Sequence, residues 1–179
     1  MRNDAARSLP SGAAETLWEN DRVGAGMQRW RREFPDVDCS GKAVVGRLLH
    51  LNEVFLTEIN RTLARHRLKY PAYAVLATLR VEGAPYRMSP KALLDTLILT
   101  SGGLSNLLRR LEKAGYIRRM ADETDGLGVI VELTESGRMI VEPAMRDHAK
   151  TERRLVAMLS SAEEAQVSNS LGKMMLGKL

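Results

Sequence analysis

Hydrophobic positions along this chain follow a helical rhythm toward both ends and change period once, in the middle. From about Ala43 to Arg67 the residues Val44, Val45, Leu48, Leu51, Val54, Phe55, Ile59 and Leu63 recur at three- and four-residue steps, one face of a long amphipathic helix. An earlier segment, Glu15 to Phe34, reads as a helix with Trp18 and Trp30 as apolar contacts and Pro35 as its stop. LKYPAYAVLATLRVEG predicts another: Pro71 is tolerated in a first turn, Val75, Leu76 and Leu79 form the buried side, and Gly83 ends it. Ser89-Pro90, a capping hydroxyl followed by proline at the first helical position, opens SPKALLDTL.

The next stretch, TSGGLSNLLRRLEKAGYIRR from Thr100 to Arg119, sets Leu104, Leu107, Leu108 and Leu111 on one side of a short helix. Ser101, Ser105, Asn106, Arg109 and Lys113 are left on the other. After Gly115 the period shortens to that of strands. YIRRM, the turn-rich ADETDGLG and the β-branched VIVEL together predict a hairpin. Thr134-Glu-Ser-Gly then opens a helix from about Glu135 to Leu159, and Ser160 or Ser161 caps a last one from about Ala162 to Met175, with glutamates in its first turn.

A capped helix, a leucine-backed basic helix and a hairpin in that order make a winged helix-turn-helix, whose second helix enters the major groove of DNA. The predicted fold class is mainly α with a small β-hairpin wing. Glycines at 102 and 103 let a helix N-terminus approach phosphate closely, where free amides and the helix dipole favour an anion. Thr100, Ser101, Gly103, Ser105 and Asn106 are placed to bond phosphates or base edges, and Arg109, Arg110 and Lys113 to attract the backbone. Ser89 and Lys91 in the preceding helix, and Arg118 and Arg119 near the wing, complete the candidate DNA-binding set. A basic helix face is in general only solvated surface. Here the order of the elements argues for more.

Composition narrows the class. The chain has 179 residues, enough for one core; charged residues make up 27% and hydrophobic ones 44%. No apolar run approaches the ~18 residues that span a bilayer. The N-terminal stretch has no apolar signal core, so the expected compartment is the cytoplasm, with no membrane partner. The one cysteine, Cys39, excludes an internal disulfide. Net charge is +5, and it is concentrated: between Thr100 and Arg119 five arginines and lysines face the single acid Glu112, whereas Ala121 to Asp125 is acidic. His50, His66 and His148 are too scattered for a metal site, and neither a metal nor a cofactor is expected. No nucleophile elbow, phosphate loop or paired carboxylates support an enzyme.

The pieces SPKALLDTLILTSGGLSNLLRRLEKAGYIRR and VIVELTESGR resemble the MarR family of bacterial transcriptional regulators, and the likeness extends more weakly from about Val44 to the C-terminus. MQRWRREFPDVD is similar to the extra N-terminal helix of the subgroup that includes urate-responsive members. The resemblance implies a symmetric homodimer on a palindromic operator, most simply a repressor controlled by a small-molecule effector. It also implies a domain plan: a flexible tail over 1–14, dimerisation helices over 15–69, the winged helix-turn-helix over 70–134 and C-terminal dimerisation helices over 135–179.

Two departures from the family pattern shape these expectations. Family wings carry Asp-Arg-Arg-Gly, but this chain has Asp125-Gly126-Leu127-Gly128, so either the wing contributes less or Arg118 and Arg119 compensate from its base. Ala74 and Leu107 stand where urate-responsive relatives carry an acid and an arginine, so urate is not the expected effector. A planar or phenolic carboxylate is, within reach of Trp30, His50, Phe55, Tyr70, Tyr73 and Arg80. Cys39 has two readings, an oxidation sensor as in some relatives or an inert loop thiol. The alternative overall reading is a degenerate or redox-sensing member, a dimeric helical adaptor with weak DNA binding.

Overall fold

A computed structural model describes residues 21–122 and 128–177. The expected tail over 1–14, Trp18 and the wing-tip residues Asp125 to Leu127 lie outside the described residues. Two compact units are formed, Met1–Val54 and Phe55–Leu179.

In the first unit, α1 spans Arg22–Glu33. Asp21 is extended (φ −88°, ψ 168°) and accepts the Gly24 amide at 2.7 Å as the N-cap of α1, while residues 15–20 of the expected helix lie outside the described residues. The same carboxylate receives Arg47 Nε at 2.7 Å from the first half of α2 (Lys42–Ala64). Met27 and Cys39 are buried; Trp30 is not the packed residue its spacing suggests. It is 40% exposed, lies 5.3 Å from the Phe34 ring, and has the Lys42 ammonium 4.2 Å from its centroid.

The second unit carries the main core. Ile59 and Leu63 from the end of α2 meet Val75, Leu76 and Leu79 of α3 (Tyr70–Val81), Leu93 of α4 (Pro90–Thr96), and Leu104, Leu108 and Leu111 of α5 (Ser101–Lys113). Ile117 of β2 (Ile117–Ala121), Val131 and Leu133 of β3 (Val129–Leu133), and Val141 and Ala144 of α6 (Glu135–Leu155) close it. The last helix, α7 (Ser161–Leu176), opens with a capping box between Ser160 and Glu163, which decides between the two candidate serines.

Helix ends depart from the periodic pattern where the backbone turns. The helix expected to run to Arg67 stops at Ala64, and Arg67 takes a left-handed φ of 56° while Leu68 N–H bonds back to Leu63 O at 3.1 Å. Likewise α6 ends at Leu155 instead of Leu159. A two-residue strand, β1 (Arg87–Met88), was not legible in the sequence; it pairs antiparallel with β3, giving the sheet order β1-β3-β2. Its existence depends on a partner 45 residues away, with Arg87 opposite Glu132.

Candidate nucleic-acid interface

Helix α4 starts as its Ser-Pro signal predicts. Ser89 Oγ accepts the Ala92 amide at 3.2 Å, so this expected DNA contact already serves as a half-buried cap, with Lys91 exposed beside it. Helix α5 starts on Thr100, whose Oγ1 accepts the Gly103 amide at 3.1 Å. A Cβ at Gly103 would lie 3.0 Å from that oxygen, so the glycine protects the cap. A Cβ at Gly102 would meet nothing within 4 Å. Among the described residues nothing therefore requires glycine at 102.

Along α5 the two faces are sharply divided. Leu104, Leu108 and Leu111 are at most 5% exposed, and Leu107 is half-buried. Ser101, Ser105, Asn106, Arg109, Arg110 and Lys113 are exposed, and among the described residues Arg109, Arg110 and Lys113 have no acidic partner. Among the described residues, three cations thus stand free on one helix that the core holds from behind.

Arg118 and Arg119, the candidate DNA contacts near the wing, are each held by a carboxylate. Arg119 donates its backbone N–H to Glu112 Oε1 at 3.1 Å and its Nε to Oε2 at 2.8 Å, with a further short contact from the guanidinium to the same carboxylate. These hydrogen bonds hold the Glu112 carboxyl below the usual range and push the Arg119 guanidinium up. Arg118 lies directly across from Glu132 and bonds it at 2.5 Å, and Arg87 reaches the other oxygen at 2.5 Å. Burial pushes Glu132 up, but the two arginines outweigh it and leave its carboxyl lowered.

The residues expected near an effector do not all serve one end. Tyr73 is buried with its ring 4.6 Å from that of His148, and Tyr70 is 38% exposed, 6.4 Å from Tyr73 and 6.2 Å from His148. His148 Nδ1 lies 3.3 Å from Glu152, and its buried Nε2 has no partner among the described residues. Arg80 is committed elsewhere: its Nε donates to Glu142 at 2.6 Å and its guanidinium lies 5.1 Å from the Tyr86 ring. Phe55 packs partly buried against the core, and in the other unit His50 is exposed. Among the described residues no group of three or more metal-ligating side chains is present.

Residues 58–143 match the family model of the SarA/Rot transcriptional regulators. The chain is 31% identical over 147 residues to the HTH-type transcriptional regulator PecS of Dickeya dadantii, spanning 82% of this chain and 89% of that one. A cysteine-to-serine variant of MarR from E. coli, complexed with operator DNA, superposes with a TM-score of 0.67 at 26% identity, over 77% of this chain and 99% of that one.

The chain belongs to the MarR family of winged helix-turn-helix transcriptional regulators. A second relative, the regulator TtmR of Methylorubrum extorquens, is 43% identical over 76 residues, 42% of this chain and 37% of that one. As in the MarR fold generally, the architecture is mostly helical with a three-stranded antiparallel sheet, and these proteins are regulators, not enzymes. No described helix is long and apolar enough to cross a membrane.

Proposed function

We propose that this MarR-family chain is a homodimeric, sequence-specific repressor that acts in the cytoplasm and lays α5 in the major groove of a palindromic operator. The observation that carries the reading is the division of α5: leucines anchored in the core behind, and an exposed front of Ser101, Gly102, Ser105, Asn106, Arg109, Arg110 and Lys113 whose cations are unpaired among the described residues. Phosphate attraction supplies affinity, and the serine, asparagine and Arg109 side chains supply base discrimination.

Dimerisation through the regions 15–69 and 135–179 is supported by apolar surface that the described residues leave exposed. Helix α7 has no buried residue, yet Val167, Met174, Met175 and Leu176 are 45%, 42%, 85% and 88% exposed. A second copy is the simplest occupant, and it brings two recognition helices to successive major grooves. Control by a small aromatic effector is the finer part of the proposal. Tyr70, its ring partly open and layered over His148, is the aromatic surface within the second unit best suited to stack a planar ligand.

The deciding experiment is fluorescence anisotropy of the full chain on short duplexes from around its own coding region, over a salt series. Three free cations on each of two recognition helices give a log–log salt slope of about −5, with one palindrome preferred. Absence of salt-dependent binding at low ionic strength overturns the reading. Planar carboxylates are then titrated into the complex, release of DNA being the expected effect.

A further inference from the structure

Seven basic side chains lie on or beside the helix-turn-helix and wing base: Arg87, Lys91, Arg109, Arg110, Lys113, Arg118 and Arg119. Among the described residues two acids, Glu112 and Glu132, are placed where they remove three of these cations from use. Glu112 is the single acid on α5, between Arg109 and Lys113 in the sequence and gripped by three donors of Arg119, one of them a backbone amide. Glu132, in the central strand, is only 12% exposed and holds an arginine from each neighbouring strand.

Building on the reading of α5 as the DNA-binding helix, we propose that Glu112 and Glu132 act as internal competitors for phosphate, holding Arg119, Arg118 and Arg87 off the DNA and so setting how well operator is told from other duplex. The three arginines are 41%, 61% and 41% exposed, within reach of solvent and therefore of a polyanion. What restrains them is the state they would leave behind. Release of Arg119 strips Glu112 of its guanidinium and strains its bond to the Arg119 amide. Release of both partners of Glu132 leaves a largely buried carboxylate without compensation.

The consequence falls unequally on the two classes of DNA. Non-specific binding rests almost wholly on phosphate contacts, so each cation withheld lowers it directly. Operator binding also draws on base contacts from the front of α5 and loses a smaller share. The acids thus trade total affinity for discrimination.

The test is Glu112→Gln, which keeps an oxygen to accept the Arg119 amide but removes the charge. Expected is a gain of roughly 5-fold per protomer contact in affinity for a non-palindromic duplex near physiological salt, and a salt slope steeper by about one per protomer. The preference for operator falls. In an Arg119→Gln background the same substitution leaves the slope unchanged, because no arginine remains to be freed. Glu132→Gln, which acts on Arg118 and Arg87, gives the second reading should the first variant fold poorly, with thermal melting as the control. Unchanged salt slopes in folded Glu112→Gln and Glu132→Gln overturn the proposal. So does a slope change that persists without Arg119. Arg109→Ala, measured alongside, separates this from failure of the DNA-binding reading itself: if it alone moves the slope, α5 binds DNA and the competitor role is wrong.

Discussion

Gly137 lies so close to Tyr116 that a Cβ at 137 would sit 2.1 Å from the Tyr116 carbonyl oxygen and 2.6 Å from Leu133 Cδ1. Around this contact Thr134 N–H bonds Tyr116 O at 3.0 Å, Thr134 Oγ1–H donates to Gly115 O at 2.7 Å, and the same hydroxyl oxygen accepts the Gly137 amide at 3.0 Å. The Thr-Glu-Ser-Gly sequence therefore caps α6 and welds its first turn to the end of α5 and the start of the wing. Because the obstacle is backbone, Gly137→Ala is expected to destabilise by about 3 kcal/mol, the upper end of overpacking costs. Urea melts measure it; a loss below ~0.5 kcal/mol would show that the contact yields easily.

Gly102 gives the opposite expectation. Its Cβ position is open, so Gly102→Ala is expected to raise stability by about 0.5–1 kcal/mol through helix propensity. The same methyl stands at the exposed N-terminal turn and is expected to weaken operator binding. Higher melting temperature with unchanged DNA affinity would mean that the helix start does not approach DNA.

Arg109 is exposed and without an acidic partner among the described residues, so its removal disturbs no internal ion pair. Arg109→Ala is expected to lower the salt slope by about one per protomer if it neutralises a phosphate, or to relax preference at one base pair by roughly 1–3 kcal/mol if it reads guanine. Binding curves on operator variants separate the two, and no change in either places the side chain away from DNA.

Stability is expected to depend on pH in the acid range. The hydrogen bond from Arg80 holds the Glu142 carboxyl below its ordinary 4.5. A carboxylate with a lowered folded-state pKa stabilises fully above that ordinary value and loses its contribution as pH falls through the folded one. Urea midpoints of the wild-type chain should hold down to about pH 5 and decline below. Glu142→Gln should start lower and decline less steeply, and parallel curves for the two proteins would refute the link.

Tyr73 offers an alkaline counterpart. Burial, with Glu152 and Tyr70 adding repulsion, pushes its phenol from 10.0 up to about 12. Its neutral form stabilises the fold up to the ordinary value, and that contribution is lost as pH rises through the folded one. Of the chain's four tyrosines it should ionise late in a tyrosinate absorbance titration, and Tyr73→Phe should remove that late phase.

Much of this was legible in the residues. Ser89-Pro90, the leucine spacing of α5, the glycine at 83 that takes a φ of 86°, and the alternation of VIVEL are local signals, and each produced the expected element. The division of α5 into leucine and polar faces is likewise a matter of helical period. Helix ends were less legible. Asp21 caps α1 with a carboxylate that also binds Arg47, 26 residues away, a partner that no local pattern shows.

The sequence by itself determined the helices, the hairpin, their order and the concentration of charge on one segment, because helix period, strand alternation and capping act between residues a few positions apart. Only the tertiary structure decided which of those charges are free. Arg109 and Arg119 look alike in the chain, but the hairpin folds back to bring Arg119 onto Glu112 and sets Arg118 and Arg87 on either side of Glu132. Likewise the two-residue strand β1 exists because β3 presents an edge to it. Coulombic and strand-edge interactions depend on distance in space, and sequence separation carries no record of that distance until the chain has folded.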